Sequence, residues 1–228
     1  MFRNYFITAI RNILRNKIQS FIQVLSLAVG ITATILIGLY VKHELSYDRF
    51  NEKMDRIYRI EYGDQVGMWS AIGHKIKQEI PEVDNVVRLI KWGGKDASIP
   101  LIYIPANDSA NERLFRIEDY FYCDSTIFDV FTLPFIQGDP GTALRDPNTC
   151  VLSESTAMLI FGDRDPMGEA LGWFTITGII EDVKNSHIEI NLLMSIVSHD
   201  SLGGVPRGDP QYMNNYDDAS YMTYLLLP

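Results

Sequence analysis

The chain has 228 residues and a mass of 26.0 kDa, enough for one sizeable domain or two small ones. With 46% hydrophobic and 21% charged residues it is too apolar for bulk disorder, and two cysteines exclude a disulfide-dense scaffold. The formal charge of −9 argues against nucleic acid as a partner, and it is unevenly spread: five of the 20 basic residues and no acid precede Glu44, leaving 15 basic against 29 acidic residues from there on. A chain so divided works in two environments.

The first element predicted is an amphipathic helix over 1–18. Phe2, Tyr5, Phe6, Ile10, Ile13, Leu14 and Ile18 recur at steps of three and four, with Arg3, Asn4, Arg11, Asn12, Arg15 and Asn16 opposite. Such a helix suits the cytoplasmic membrane surface. Arg3, Phe6, Arg11, Arg15 and Lys17 are the candidate residues for that surface or for a cytoplasmic partner, and the pattern leaves both readings open. Between Lys17 and Lys42 follow 24 residues without a formal charge. As a helix they would reach roughly 36 Å, against about 30 Å of hydrocarbon, so 19–42 is read as a transmembrane helix contacting the lipid bilayer. Gly30, Ala33 and Gly38, with Thr32 and Thr34, are small residues suited to packing against other membrane helices. A cleaved signal peptide fits less well, because the apolar run is long, begins late and lacks a small-x-small site near YVKHEL. A buried helix of a soluble protein rarely runs this far without a charge. The arginines before the span place the N-terminus in the cytoplasm and residues after about 42 outside, which in a bacterium is the periplasm.

The remaining 43–228 read as one extracytoplasmic region of α+β class. Ser46 is expected to cap a short polar helix containing Arg49 and Phe50, followed by a strand at 56–62. Trp69, Ile72, Ile76 and Ile80 form one helical stripe ended by Pro81. A strand is expected over 83–92, then a Gly93-Gly94 turn. Two more strands, 98–104 and 114–122, flank a polar loop at 107–111. A short helix follows at 125–130, then a Gly138-Asp139-Pro140-Gly141 turn and a strand at 149–152. Ser153 caps a helix running to about Phe161, stopped by Gly162. Strands at 174–182, 188–197 and 221–227 complete the order, with a loop over 201–218. Helices on one face of a sheet are the expected architecture.

Chemistry is conspicuous by omission. There is no GxxxxGK[ST] phosphate loop, no GxSxG elbow and no HExxH pair. Ser153-Glu154-Ser155 is read as a helix cap rather than a nucleophile. Asp163, Asp165, Glu181 and Asp182 are read as turn and surface residues rather than a cation site. Cys123 and Cys150 are either a periplasmic disulfide or two separate buried thiols. No nucleophile, base and orienting group assemble, so the chain is not read as an enzyme, and no cofactor or metal is expected.

Four blocks carry a family likeness: RNILRNK (11–17) before the span, HELSYDRFNEKMDRIYRI (43–60) directly after it, VLSESTAMLIFGDRDPMGEAL (151–171), and FTITGIIEDVKNSHIEINLLMS (174–195). Together they resemble the ABC-transporter permeases related to the macrolide exporter MacB and to FtsX, in the large form common in Bacteroidetes. The resemblance implies a MacB-like periplasmic core domain with a porter-like part (44–122 and about 198–228) and an inserted smaller part (about 125–197). It implies an ABC ATPase on a separate chain or domain, a homodimer or paired permease, and a periplasmic adaptor as a further partner. ATP-driven movement would pass through the membrane helices to the periplasmic domain, for export or mechanotransmission. Glu44, Tyr47, Asp48, Arg49 and Phe50 would join the span rigidly to that domain. On this likeness the chain, ending at Pro228 before the family's further membrane helices, is expected to be an N-terminal fragment, and the short Leu171-to-Phe174 link a trimmed hairpin. The reading kept against it is a single-pass anchored extracytoplasmic binding or sensor domain without ATP coupling.

Overall fold

Twenty-four residues without a formal charge, free of proline and rich in Leu, Ile and Ala, form a helix, α1, over Lys17–Glu44. A computed structural model describes Tyr5, Ile7, Arg11 and residues 14–63, 67–91, 98–103, 113–183, 185–198 and 221–228. They divide into two units, Met1–Tyr47 and Asp48–Pro228. In the first, α1 extends two residues beyond the expected span at each end. Lys42 and His43 lie in its last turn, where cations oppose the negative end of the helix dipole.

The second unit is built on a mixed sheet. Its strands are β1 (Ile57–Ile60), β2 (Asn85–Ile90), β5 (Tyr120–Cys123), β6 (Phe135–Gly138), β7 (Thr149–Ser153), β8 (Ala170–Leu171), β9 (Phe174–Ile180), β10 (Leu192–Ser195) and β11 (Met222–Leu226). The strand order is β1-β11-β2-β5-β10-β7-β9-β6, with β8 also on β9. β5–β10 and β7–β9 are parallel; the other pairs are antiparallel. A separate hairpin joins β3 (Ile99–Tyr103) to β4 (Arg113–Ile117). The helices are α2 (Ser70–Glu79), α3 (Ile127–Val130) and α4 (Glu154–Phe161).

Central strands are buried on both faces, so they read as apolar runs rather than alternations. One core takes Tyr120, Tyr122, Cys150, Leu152, Leu192 and Met194 with Ala157, Ile160 and Phe161 of α4 and with Leu101 and Ile117 of the hairpin. The other takes Phe121, Cys123, Val151 and Leu193 with Ile127 and Val130 of α3, Leu144, Ile188 and Ile190. The two cysteines are free, buried, and point into opposite cores, which removes the disulfide alternative. Burial pushes both thiols up, Cys123 also through Asp124.

The expected cap at Ser153 is present: its hydroxyl accepts from the Thr156 amide at 3.3 Å, and Gly162 at φ 62° ends α4. Gly178 is required by packing, since a Cβ there would lie 2.6 Å from the Phe135 ring. Gly172-Trp173 forms the two-residue turn between β8 and β9, with Leu171 paired to Phe174.

Several expectations need correction. Residues 45–50 form turns, with a 3₁₀ turn at Met54–Arg56, and no helix for Ser46 to cap. Ser46 instead donates to the His43 carbonyl at 2.6 Å, closing the end of α1. The expected helix before Pro81 is α2; of its stripe Trp69, Ile72 and Ile76 are half-buried and only Ile80 is exposed, while the most buried face is Ser70, Ala71 and Gly73, where a Cβ on Gly73 would stand 3.1 Å from Val86. The run 114–122 is two strands of different sheets, broken at Asp119 with φ 34°. Phe135–Gly138 is a strand that the turn signals concealed, and the expected 188–197 strand shortens to β10 because Ile188 and Ile190 enter the core from irregular chain. The Gly93-Gly94 turn and the loops at 107–111 and 201–218 lie outside the described residues.

Candidate functional site

The candidate residues fall into two groups, and each belongs to one unit. In the span, no residue of α1 is buried. Its hydroxyls are satisfied within the helix: Ser26 donates to Ile22 at 2.8 Å, Thr32 to Ala28 at 2.8 Å and Thr34 to Gly30 at 2.9 Å. Polar groups paired in this way can enter hydrocarbon without an orphaned donor. A Cβ on Gly30 or Gly38 would meet nothing within 4 Å, and Ala33 is exposed. Arg11 and Arg15 are helical and exposed, and Lys17 opens α1. Arg3 and Phe6 lie outside the described residues. At the other end Glu44 closes α1, and the Tyr47 ring meets His43 edge-on at 5.3 Å.

Asp48, first residue of the second unit, is the centre of a network. Its backbone is left-handed at φ 58°, a region that Asp tolerates better than most residues. Its amide donates to the Asn185 carbonyl at 2.7 Å. Its Oδ1 accepts from the Ser186 hydroxyl at 3.2 Å and the His187 amide at 3.1 Å, and its Oδ2 meets His187 Nδ1 at 2.8 Å. His187 Nε2 lies 3.1 Å from the Tyr224 hydroxyl on β11. Two of the sequence blocks, 43–60 and 174–195, thus meet residue on residue. Burial pushes the Tyr224 hydroxyl up, against a hydrogen bond with Arg59 that works the other way. Burial would lower Arg59, but its bonds to Glu61 and Tyr224 outweigh that and hold it above its usual value.

The segment after Asp48 is fastened again. Buried Asn51 accepts at Oδ1 from the Thr132 amide (3.3 Å) and hydroxyl (3.1 Å), and Lys53 bonds the Asp129 carbonyl. Arg56 donates from Nε to the Leu227 carbonyl at 2.6 Å and pairs with Asp84 at 2.6 Å. Arg49 sits in the turn with its side chain exposed, and Phe50 is half-buried. Sequence reasoning named Asp48 but missed Asn51, Thr132, Ser186, His187 and Tyr224 as its neighbours; the one available signal was the NSH tripeptide inside a family block. Among the described residues no group of three or more His, Cys, Asp or Glu could hold a metal ion. The arrangement ties residues 48–56 to segments 129–132, 185–187 and 224–227.

The family model described as the MacB-like periplasmic core domain matches residues 20–215. No curated protein matches the sequence. Among solved structures, the chain is similar to a domain of a putative permease protein from Porphyromonas gingivalis, with TM-score 0.60 and 23% identity, covering 78% of this chain and 77% of that one. It also matches the periplasmic region of MacB from Actinobacillus actinomycetemcomitans (TM-score 0.45, 16% identity, 75% and 72% covered). A third match is the extracellular domain of the ABC-type transporter YknZ from Gram-positive bacteria (TM-score 0.44, 11% identity, 75% and 81% covered).

Proposed function

The chain belongs to the MacB-like periplasmic core domain family, and from that membership we propose that it is the membrane subunit of an ABC transporter complex which turns cytoplasmic ATP hydrolysis into movement of its periplasmic domain. Domains of this family belong to permease components, which work with an ABC ATPase rather than carry catalysis themselves. An apolar helix followed by such a domain is the arrangement of an inner-membrane protein. The observation that carries the reading is a single succession: basic residues, then a helix with 24 uncharged positions and no buried residue, with the family match over 20–215 taking in most of that helix and the domain after it.

In this reading the N-terminus is cytoplasmic and residues after about 42 are periplasmic. Arg3, Phe6, Arg11, Arg15 and Lys17 meet the ATPase and the membrane surface. Gly30, Ala33 and Gly38 pack against a second membrane helix, from a second copy or a paired permease. Glu44, Tyr47, Asp48, Arg49 and Phe50 link the span to the sheet. The product of the cycle is movement of a periplasmic surface, serving export or mechanotransmission.

The test is co-purification of the full-length protein with its ABC ATPase, with ATP hydrolysis measured in lipid nanodiscs. A stable complex whose hydrolysis rate depends on the permease is the expected result. Reversing Arg11 and Arg15 to Glu should break the complex while the periplasmic domain stays folded. A permease that binds no ATPase would return the chain to the anchored sensor reading, and a reporter fused after Glu44 that stays cytosolic would reverse the orientation.

A further inference from the structure

Asp48 and Asn185 face each other with left-handed backbones, φ 58° and φ 54°. Non-glycine residues keep that conformation only where the surroundings hold them. The hold here is the 2.7 Å bond from the Asp48 amide to the Asn185 carbonyl, together with three further bonds to the Asp48 carboxylate. From that carboxylate the line runs through both nitrogens of His187 to the Tyr224 hydroxyl. Tyr224 stands on β11, which is hydrogen-bonded on both sides, to β1 and to β2. A pull on Asp48 therefore reaches the interior of a sheet rather than a loop.

The geometry points to Asp48, His187 and Tyr224 as a joint: positioning residues through which movement of the segment following the span enters β11. The inference rests on the ATP-coupled reading above and names the path inside the domain. Either ring state of His187 keeps the line closed. A neutral ring donates from Nδ1 to Asp48 and accepts at Nε2 from Tyr224. A protonated ring donates at both. Asn51 and Lys53 fasten the same segment elsewhere, to Thr132 and to the Asp129 carbonyl beside α3. Loss of the Asp48 line therefore removes the direct connection of residue 48 to Tyr224, while Asn51, Lys53 and the β1–β11 pairing keep the segment in place.

The test is amide hydrogen exchange on the full-length protein with its ATPase in nanodiscs, at rest and trapped with ATP and vanadate. The variants are Asp48→Ala, His187→Ala, Tyr224→Phe and, as a destabilised control on the opposite core, Ile160→Val. At rest, Asp48→Ala and His187→Ala should raise exchange at 48–51 and 185–188 by about tenfold, leaving β7 and β9 unchanged. Trapping should alter exchange of β11 in wild type and Ile160→Val, and by less than half as much in the three joint variants, where β1 remains paired to β11. His187→Gln, which keeps a donor and an acceptor, should restore part of the response. Joint variants that keep more than half of the wild-type response to trapping overturn the joint, as does a resting rise spread over the whole sheet or no rise at all. A wild type whose β11 ignores ATP overturns the coupled reading first and the joint with it, a result distinct from responding variants.

Discussion

The span and the sheet use the same residue types for opposite ends. Leu, Ile and Val of α1 are exposed all round, with no buried member; the same residues in β2, β7 and β10 are buried on both faces of the sheet. In the sheet, apolar side chains cover one another and the backbone pairs between strands. In α1 the backbone and the Ser26, Thr32 and Thr34 hydroxyls are paired within the helix, as hydrocarbon surroundings would require. The lesson is that hydrophobicity alone does not distinguish a core from a membrane surface. What separates them here is where the polar groups are paired: between strands in one case, within four residues along the helix in the other.

That contrast can be broken on the sheet side first. The buried Arg88 donates from Nη2 and Nε to the two Asp124 oxygens at 2.8 and 2.9 Å, and lies near the Tyr221 ring. Asp124→Ala leaves the guanidinium buried without its carboxylate, and should cost about 3–5 kcal/mol in denaturant unfolding of the periplasmic unit. On the span side, Ile31→Lys places a charge near the middle of α1; it should weaken membrane insertion by about 2.5–3.5 kcal/mol, read as loss from the carbonate-resistant membrane fraction. The two substitutions should leave each other's readout untouched, and a crossed effect would show that the units do not stand apart energetically. Smaller is Ser153→Ala, which removes the α4 cap and should cost about 1 kcal/mol in the same unfolding experiment. The smallest effect appears only in alkali. Burial, with a lesser contribution from Tyr120, raises the Tyr122 hydroxyl to about 12. The folded state therefore holds the proton more tightly than the unfolded chain, and the resulting stability is full below about pH 10 and lost as pH rises towards 12. Tyr122→Phe should flatten the fall in melting temperature between those values, while the insertion of the span shows no such dependence.

Much of this was legible along the chain. The long helix is found where the sequence places it, because a run of this kind is a local object, long, largely uncharged and internally paired. The Ser153 cap, Gly162 stop and the β9 and β11 strands are local as well. The errors share a cause. In α2 the closest approach to the sheet falls to Gly73 beside Val86, while Ile72 and Ile76 of the expected stripe stay half-buried. The 114–122 run was taken as one strand because nothing in its composition marks the turn at Asp119, which exists to send β4 and β5 into different sheets. The supposed helix at 46–50 gave way to turns because Asp48 finds its partners at 185–187, far along the chain.

By itself the sequence determined where the long apolar helix runs, the class of the domain that follows, and the family blocks that identify it, since each depends on composition or on residues a few positions apart. The tertiary structure alone decided that Asp48 closes on Asn185 and His187, that Tyr224 completes the line, and that the two cysteines face opposite cores. Those pairings join positions 37 to 139 residues apart or set them across a sheet. They follow from strand order and register, which no short stretch of chain encodes.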